Sequence, residues 1–201
     1  MTKFFSNTWV KCISLLLIIS IIAGGLLTAL NFLLYVSPAE RSGRAIKKIY
    51  GEDKQYEVVL DCDGGDQKVV FNNVGSVNKI YKITNGEVYD LLFQTTGDGG
   101  YKNGTITLWT KVAFDGTTYS IEKVILESYD KQTLMSKLGE AFYSGFILED
   151  VTKEYEQGKL FAPKRQENSI DNIVTGATKS ASAGCNAVNC VLKYLGENYE
   201  D

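Results

Sequence analysis

The chain of 201 residues contains no histidine. That absence removes the Ser-His-Asp and Cys-His arrangements for nucleophilic catalysis together with the commonest side-chain ligand for a metal. The four cysteines, Cys12, Cys62, Cys185 and Cys190, do not make good the loss. Cys185 and Cys190 stand five residues apart in a helical pattern, about 140° apart around its axis, which suits neither a shared metal ion nor a mutual disulfide. They read as small core residues, and a bridge from Cys62 to one of them stays open. No internal repeat or low-complexity segment is present, and no charge occurs between Ile13 and Tyr35. No catalytic side chain and no metal-ligand set is therefore assigned, and any chemistry is expected to belong to a bound cofactor.

The uncharged run from Ile13 to Tyr35 predicts a membrane span. About 23 residues at about 1.5 Å each reach about 35 Å, enough to cross a hydrocarbon core of about 30 Å with some tilt. Trp9 and Tyr35 mark its ends, where aromatic rings favour the headgroup region, and Lys3 and Lys11 precede it. The run is longer than the apolar part of a signal peptide and no small-x-small cleavage site follows, so it is read as an uncleaved signal anchor. Cys12 precedes the run and is not placed for lipid attachment. Arg41, Arg44, Lys47 and Lys48 follow it, and counting positive charges alone would put the C-terminal part in the cytoplasm. This divides the chain into an anchor over residues 1–36, a helical stalk over 37–55 and one domain over 56–201.

Beyond the span lie all 24 acidic residues and 19 of the 21 basic ones, a net charge of −5. A net acidic domain is a poor nucleic-acid binder. Ser37-Pro38 opens a helix that Gly51 closes. Strands are predicted at Tyr56 to Cys62, Lys68 to Phe71, Lys79 to Thr84, Val88 to Gln94, Thr105 to Phe114 and Thr118 to Glu127, with Asn85-Gly86 and Asp115-Gly116 as turns. A helix is expected from Thr133 to about Tyr143, followed by a polar connection from Glu149 to Ser169. From Thr178 onward Ala181, Gly184, Cys185, Val188, Val191, Leu192 and Leu195 recur on one helical face, with Gly196 as the expected stop. Strands followed by a terminal helix indicate an α+β fold with a mainly antiparallel sheet and flanking helices.

The segment Asp171-Asn172-Ile173-Val174-Thr175-Gly176-Ala177-Thr178-Lys179-Ser180 places hydroxyl residues around a glycine where that last helix begins. Free backbone N–H groups and the positive end of the helix dipole stabilise an anion there, and glycine admits a ligand close to the backbone. Thr175, Gly176, Ala177, Thr178 and Ser180 are the candidate phosphate-binding residues, with Lys179 as an added cation. The competing reading is an ordinary helix cap by Thr175 or Thr178.

The ending Ile173-Val174-Thr175-Gly176-Ala177-Thr178-Lys179-Ser180, the single span and the segment Gly99-Gly100-Tyr101-Lys102-Asn103-Gly104-Thr105-Ile106 resemble the FMN-binding domain of bacterial electron-transfer proteins. That family includes the G subunit of the Rnf complex and the C subunit of the sodium-pumping NADH:quinone reductase. The resemblance implies covalent FMN, attached through a phosphoester to Thr178 by a flavin transferase, in an extracytoplasmic domain that works with other membrane redox subunits. It also implies a flavin contact at Thr133; Tyr101 and Trp109 are candidates to stack near the ring, with a place in the core as the competing reading of each. The chain departs from the family's pattern at two places. Asn172 stands where an aspartate is usual, and Gln132-Thr133-Leu134-Met135-Ser136-Lys137 replaces a Glu-Thr-Pro-Gly-Leu-Gly loop. A free-standing flavin carrier for extracellular electron transfer, and a non-redox membrane-tethered binding or structural module, remain as alternatives.

Overall fold

The computed structural model describes residues 8–85, 88–151, 160–162 and 177–199. Two compact units, Met1–Ser42 and Gly43–Asp201, make up the chain. In the first, helix α1 covers Thr8–Leu34, and its stretch Trp9–Leu34 contains an 18-residue window with a mean hydropathy of 2.5 and no buried residue. By length and composition α1 is apolar enough to cross a membrane.

Helix α2, Pro38–Tyr50, begins as the sequence predicts. The Glu40 N–H donates to Ser37 Oγ at 3.2 Å, and proline at the first helical position loses no hydrogen bond the helix would make. Its end is set by Gly51, whose φ of +80° suits glycine and whose N–H returns to the Lys47 carbonyl. From Gly43 onward α2 belongs to the second unit, where Ala45, Ile46 and Ile49 are buried.

The second unit is built on a six-stranded sheet. Strands β1 (Glu57–Asp61), β2 (Val69–Phe71), β3 (Gly75–Asn85), β4 (Val88–Gly97), β5 (Ile106–Phe114) and β6 (Tyr119–Tyr129) all pair antiparallel. The spatial order is β1-β3-β4-β5-β6, with β2 also on β3. At the β5–β6 turn Asp115 Oδ1 accepts the N–H groups of Thr117 and Thr118, both at 2.8 Å, and Gly116 takes a φ of +100°. Two short helices or turns follow, a 3₁₀ turn at Met135–Lys137 and helix α3 at Glu140–Ser144. Helix α4, Thr178–Asn198, covers the sheet. The fold is α+β.

Both faces of the sheet are covered, which explains the uninterrupted apolar run in β4. Leu91 and Phe93 enter the larger core with Leu108, Val112 and the inner face of α4. Leu92 points the other way, into a smaller core with Ala45, Ile46, Ile49, Tyr81 and Trp109. Lys79 is buried in β3 and reaches Asp63 at 2.6 Å and Asp61 at 3.3 Å, while Tyr81 Oη donates to Asp61 at 3.0 Å. Within the larger core, Asn189 on α4 exchanges two hydrogen bonds with the backbone of Phe161, at 2.8 and 3.0 Å.

Three expectations need correction. The single helix from Thr133 to Tyr143 is instead a 3₁₀ turn and a five-residue α3, because Gly139 is extended between them and Leu138 is drawn into the core. Strand β3 starts at Gly75 and β4 runs on to Gly97, since these two residues pair with each other. Gly196 does not stop α4, which continues to Asn198 with Leu195 and Tyr199 packed into the core. The polar connection lies mostly outside the described residues.

Glycine decides how closely α4 can approach. A Cβ on Gly97 would overlap the Ala183 carbonyl and the Ala187 amide, so backbone meets backbone. Gly97→Ala is therefore expected to destabilise the protein by about 1–3 kcal/mol or more in chemical denaturation. Gly43→Ala, in α2 with open space around the new methyl, is the control and is expected to be neutral or slightly stabilising.

Candidate functional site

Three segments far apart in sequence meet at one side chain. Gln132 is buried in the loop after β6, and its Oε1 accepts the Tyr101 N–H at 3.1 Å and the Ser180 hydroxyl at 2.8 Å. Its Nε2 donates to the Asp130 carbonyl at 2.9 Å. The amide thus uses both acceptor positions and one donor, and joins the loop after β4, the loop after β6 and the first turn of α4.

The loop after β4 is shaped to admit that amide. A Cβ on Gly100 or Gly104 would overlap Gln132 Nε2, so only glycine leaves room. The Gly100 N–H donates to the Gly104 carbonyl at 3.0 Å and the Gly104 N–H to the Tyr101 carbonyl at 2.9 Å, closing a tight loop. Gly99 at φ +85°, Lys102 at +51° and Asn103 at +56° are left-handed, as is Lys131 at +55° beside Gln132. Non-glycine residues pay a steric penalty there, and such strain gathers where a structure is held by its surroundings. Asn186 on α4 donates to the Asp98 carbonyl at 2.9 Å and fastens the same loop to the helix.

At the start of α4 the N-cap is Ala177, which makes no side-chain capping bond. Thr178 is the first helical residue, half-buried, and among the described residues its hydroxyl makes no hydrogen bond. Thr178 is therefore not the helix cap. Its carbonyl accepts the Ser182 hydroxyl at 2.9 Å, and Lys179 is exposed. The N–H groups of this first turn have no acceptor within the helix and point toward its N-terminal end.

The sequence-predicted residues divide as follows. Ala177, Thr178 and Ser180 share the first turn of α4 and its approach, and Thr133, exposed, follows Gln132 directly. Ser180 is not available to a phosphate, because it is buried and committed to Gln132. Thr175 and Gly176 lie outside the described residues, as do Asp171 and Asn172. Tyr101 is on this loop with 41% of its surface exposed, whereas Trp109 is buried in the smaller core on the opposite face of the sheet. Trp109 stacks on Tyr81 and its Nε1 donates to Glu127 at 2.9 Å, so it is no stacking partner for a ligand at α4. The residue missed from sequence is Gln132, and the signal that could have found it is the pair of glycines bracketing Tyr101.

The described residues contain no group of three or more cysteine, aspartate or glutamate side chains able to hold a metal ion. A separate cleft of about 370 Å³ between β6 and α3, lined among others by Val124, Leu138 and Tyr143, includes none of the candidate residues. All four cysteines are free thiols. Burial pushes Cys185 and Cys190 up to about 12, with Asp98 adding to the effect on Cys190. Both are core residues, as their sequence pattern indicates.

Replacing Gln132 by leucine strands the Tyr101 N–H, the Ser180 hydroxyl and the Asp130 carbonyl, and is expected to cost about 3 kcal/mol in denaturant unfolding. A thiol reagent at pH 7 to 9 is expected to spare Cys185 and Cys190 in the folded protein, since the reactive thiolate forms only near pH 12, and to modify both once the chain unfolds. Mass spectrometry of labelled peptides reads this directly. No family model, curated protein or solved structure matches this chain.

Proposed function

We propose that the chain is a membrane-anchored electron-transfer flavoprotein, carrying FMN as a phosphoester on Thr178 in an extracytoplasmic domain and serving the redox subunits of an Rnf- or Nqr-like complex. The observation that carries this reading is the Gln132 carboxamide. It binds Tyr101 across 31 residues of sequence and Ser180 across 48, bringing together the glycine-tyrosine segment, the loop of Thr133 and the helix start that the family resemblance singles out. Convergence of these three segments is what a ligand site at the start of α4 requires.

The first turn of α4 fits a phosphoester. Its N–H groups and the helix dipole stabilise negative charge, the Thr178 hydroxyl makes no hydrogen bond among the described residues, and exposed Lys179 adds a cation nearby. Attachment transfers the FMN phosphoryl group from FAD to Thr178 Oγ1. The new O–P bond replaces the P–O–P linkage of FAD, AMP leaves, and the threonine hydroxyl gives up its proton. Bound there, FMN supplies reversible uptake and release of electrons. Tyr101, whose N–H Gln132 holds, and Leu134, just after Gln132 in the chain, keep apolar surface exposed, 41% and 38% respectively, which suits a flat aromatic ligand. Gln132 fixes the turn that carries Thr178 by holding Ser180 two residues further on.

The helix-cap alternative loses Thr178, because the cap position belongs to Ala177, while Thr175 lies outside the described residues. Co-expression with a flavin transferase, followed by denaturation, intact-mass measurement and in-gel fluorescence, tests the proposal. Wild type is expected to gain the mass and fluorescence of covalent FMN, and Thr178→Ala to gain neither. An unmodified wild type, with the transferase active on another substrate, would sink the proposal and leave a membrane-tethered binding module.

A further inference from the structure

On the face of the sheet that holds the smaller core, three aromatic rings run in a line from the interior to the surface. Trp109 of β5 and Tyr81 of β3, each 1% exposed, stack with centroids 5.9 Å apart and ring planes inclined by 25°. Tyr56 comes next, half-buried, with its centroid 4.8 Å from that of Tyr81. These separations are those of rings in contact, so no gap interrupts the line. At its outer end Tyr56 lines an open cleft of about 310 Å³ together with Gln55, Glu57, Lys82 and Thr84.

Each of the two buried rings gives its one polar hydrogen to a carboxylate. Trp109 Nε1 donates to Glu127 at 2.9 Å and Tyr81 Oη to Asp61 at 3.0 Å. A buried indole or phenol needs an acceptor, and a peptide carbonyl would meet that need. A carboxylate differs in being a base. An indole or phenol that loses an electron becomes a strong acid, and it gives up the electron readily only where a hydrogen-bonded base takes the proton at once. Glu127 is exposed and can pass that proton to water.

We infer that Trp109, Tyr81 and Tyr56 form a proton-coupled relay that carries a one-electron oxidation from the interior of the sheet to the cleft at Tyr56. The oxidant class is the peroxyl radical, which takes an electron from Trp109 and a proton from water and becomes a hydroperoxide, while the indole proton goes to Glu127. Tyr81 then returns an electron to Trp109, which recovers its proton from Glu127, and the Tyr81 proton goes to Asp61. Tyr56 in turn reduces Tyr81, which takes its proton back from Asp61, and the Tyr56 proton goes to water. At the cleft an enediol of the ascorbate class restores Tyr56 by giving one electron and one proton. The relay thereby moves a radical out of the core before it is fixed as damage at Trp109.

The test uses the full chain in detergent, made without a flavin transferase so that the outcome does not depend on Thr178. Trp9→Phe leaves Trp109 as the single tryptophan. A laser pulse photo-ionises Trp109, a pentaamminecobalt(III) complex captures the ejected electron, and transient absorption follows the radicals. The indolyl band is expected to decay as a phenoxyl band rises, and ascorbate is expected to remove the phenoxyl band. Adding Tyr81→Phe should abolish that rise and leave the indolyl radical in place. Tyr56→Phe should keep the rise and lose the response to ascorbate. Glu127→Gln, at an exposed side chain that the fold does not need, should shift the first spectrum from the neutral indolyl radical to its protonated form. An indolyl radical that decays without a phenoxyl band, a phenoxyl band that survives Tyr81→Phe, or a first spectrum unchanged by Glu127→Gln overturns the inference.

Discussion

The contact between Gly97 and the backbone of α4 is the constraint from which the rest of the second unit follows. Because the Ala183 carbonyl and the Ala187 amide lie where a Cβ would stand, α4 sits as low on the sheet as a helix can. Small residues on its inner face, Ala181, Ala183, Gly184 and Ala187, are the condition for that depth, and Gly184 in turn leaves space for the ring of Phe142. The depth and rotation of the helix then determine where its first turn emerges. Ser180 arrives at Gln132, Asn186 at Asp98, and Thr178 begins the helix half-buried.

Gln132 illustrates why one neutral amide is needed at the junction. The site offers two donors, from Tyr101 and Ser180, and one acceptor, the Asp130 carbonyl. A carboxylate would serve the donors but would face the Asp130 carbonyl with a second acceptor, at a cost of desolvation and repulsion in a buried place. The glutamine that looks from sequence like a departure from the family's loop is thus matched to its surroundings here. The left-handed residues Lys102, Asn103 and Lys131 bring the two loops to it, with their strain held by these hydrogen bonds.

Local signals made most of the architecture legible. Alternation in β5, the Asp115-Gly116 turn, the Ser37-Pro38 start of α2 and the three-and-four spacing of α4 each reflect interactions within a few residues along the chain. What stayed hidden was set at long range. The ends of β3 and β4 depend on Gly75 pairing with Gly97, the breaking of the expected 133–143 helix depends on Leu138 entering the core, and α4 passes Gly196 because Leu195 and Tyr199 pack there. Trp109 could not be assigned a face of the sheet until α2 was known to cover one. At the candidate site the start of α4 at Thr178 was legible from its motif, but the junction at Gln132 was not, since a polar residue in a loop carries no periodicity and its partners lie 31 and 48 residues away.

The order of the elements along the chain has a consequence for biosynthesis. The strands form a meander of near neighbours, and α2, which seals one face, is made before any of them. The helix that seals the other face is made after every strand it covers. During synthesis the apolar side of β4 and β5 therefore waits uncovered, and the sheet is most prone to wrong association in that interval. The junction at Gln132 also waits for Ser180, so the loops it joins close on α4 only after the nascent chain has passed that point.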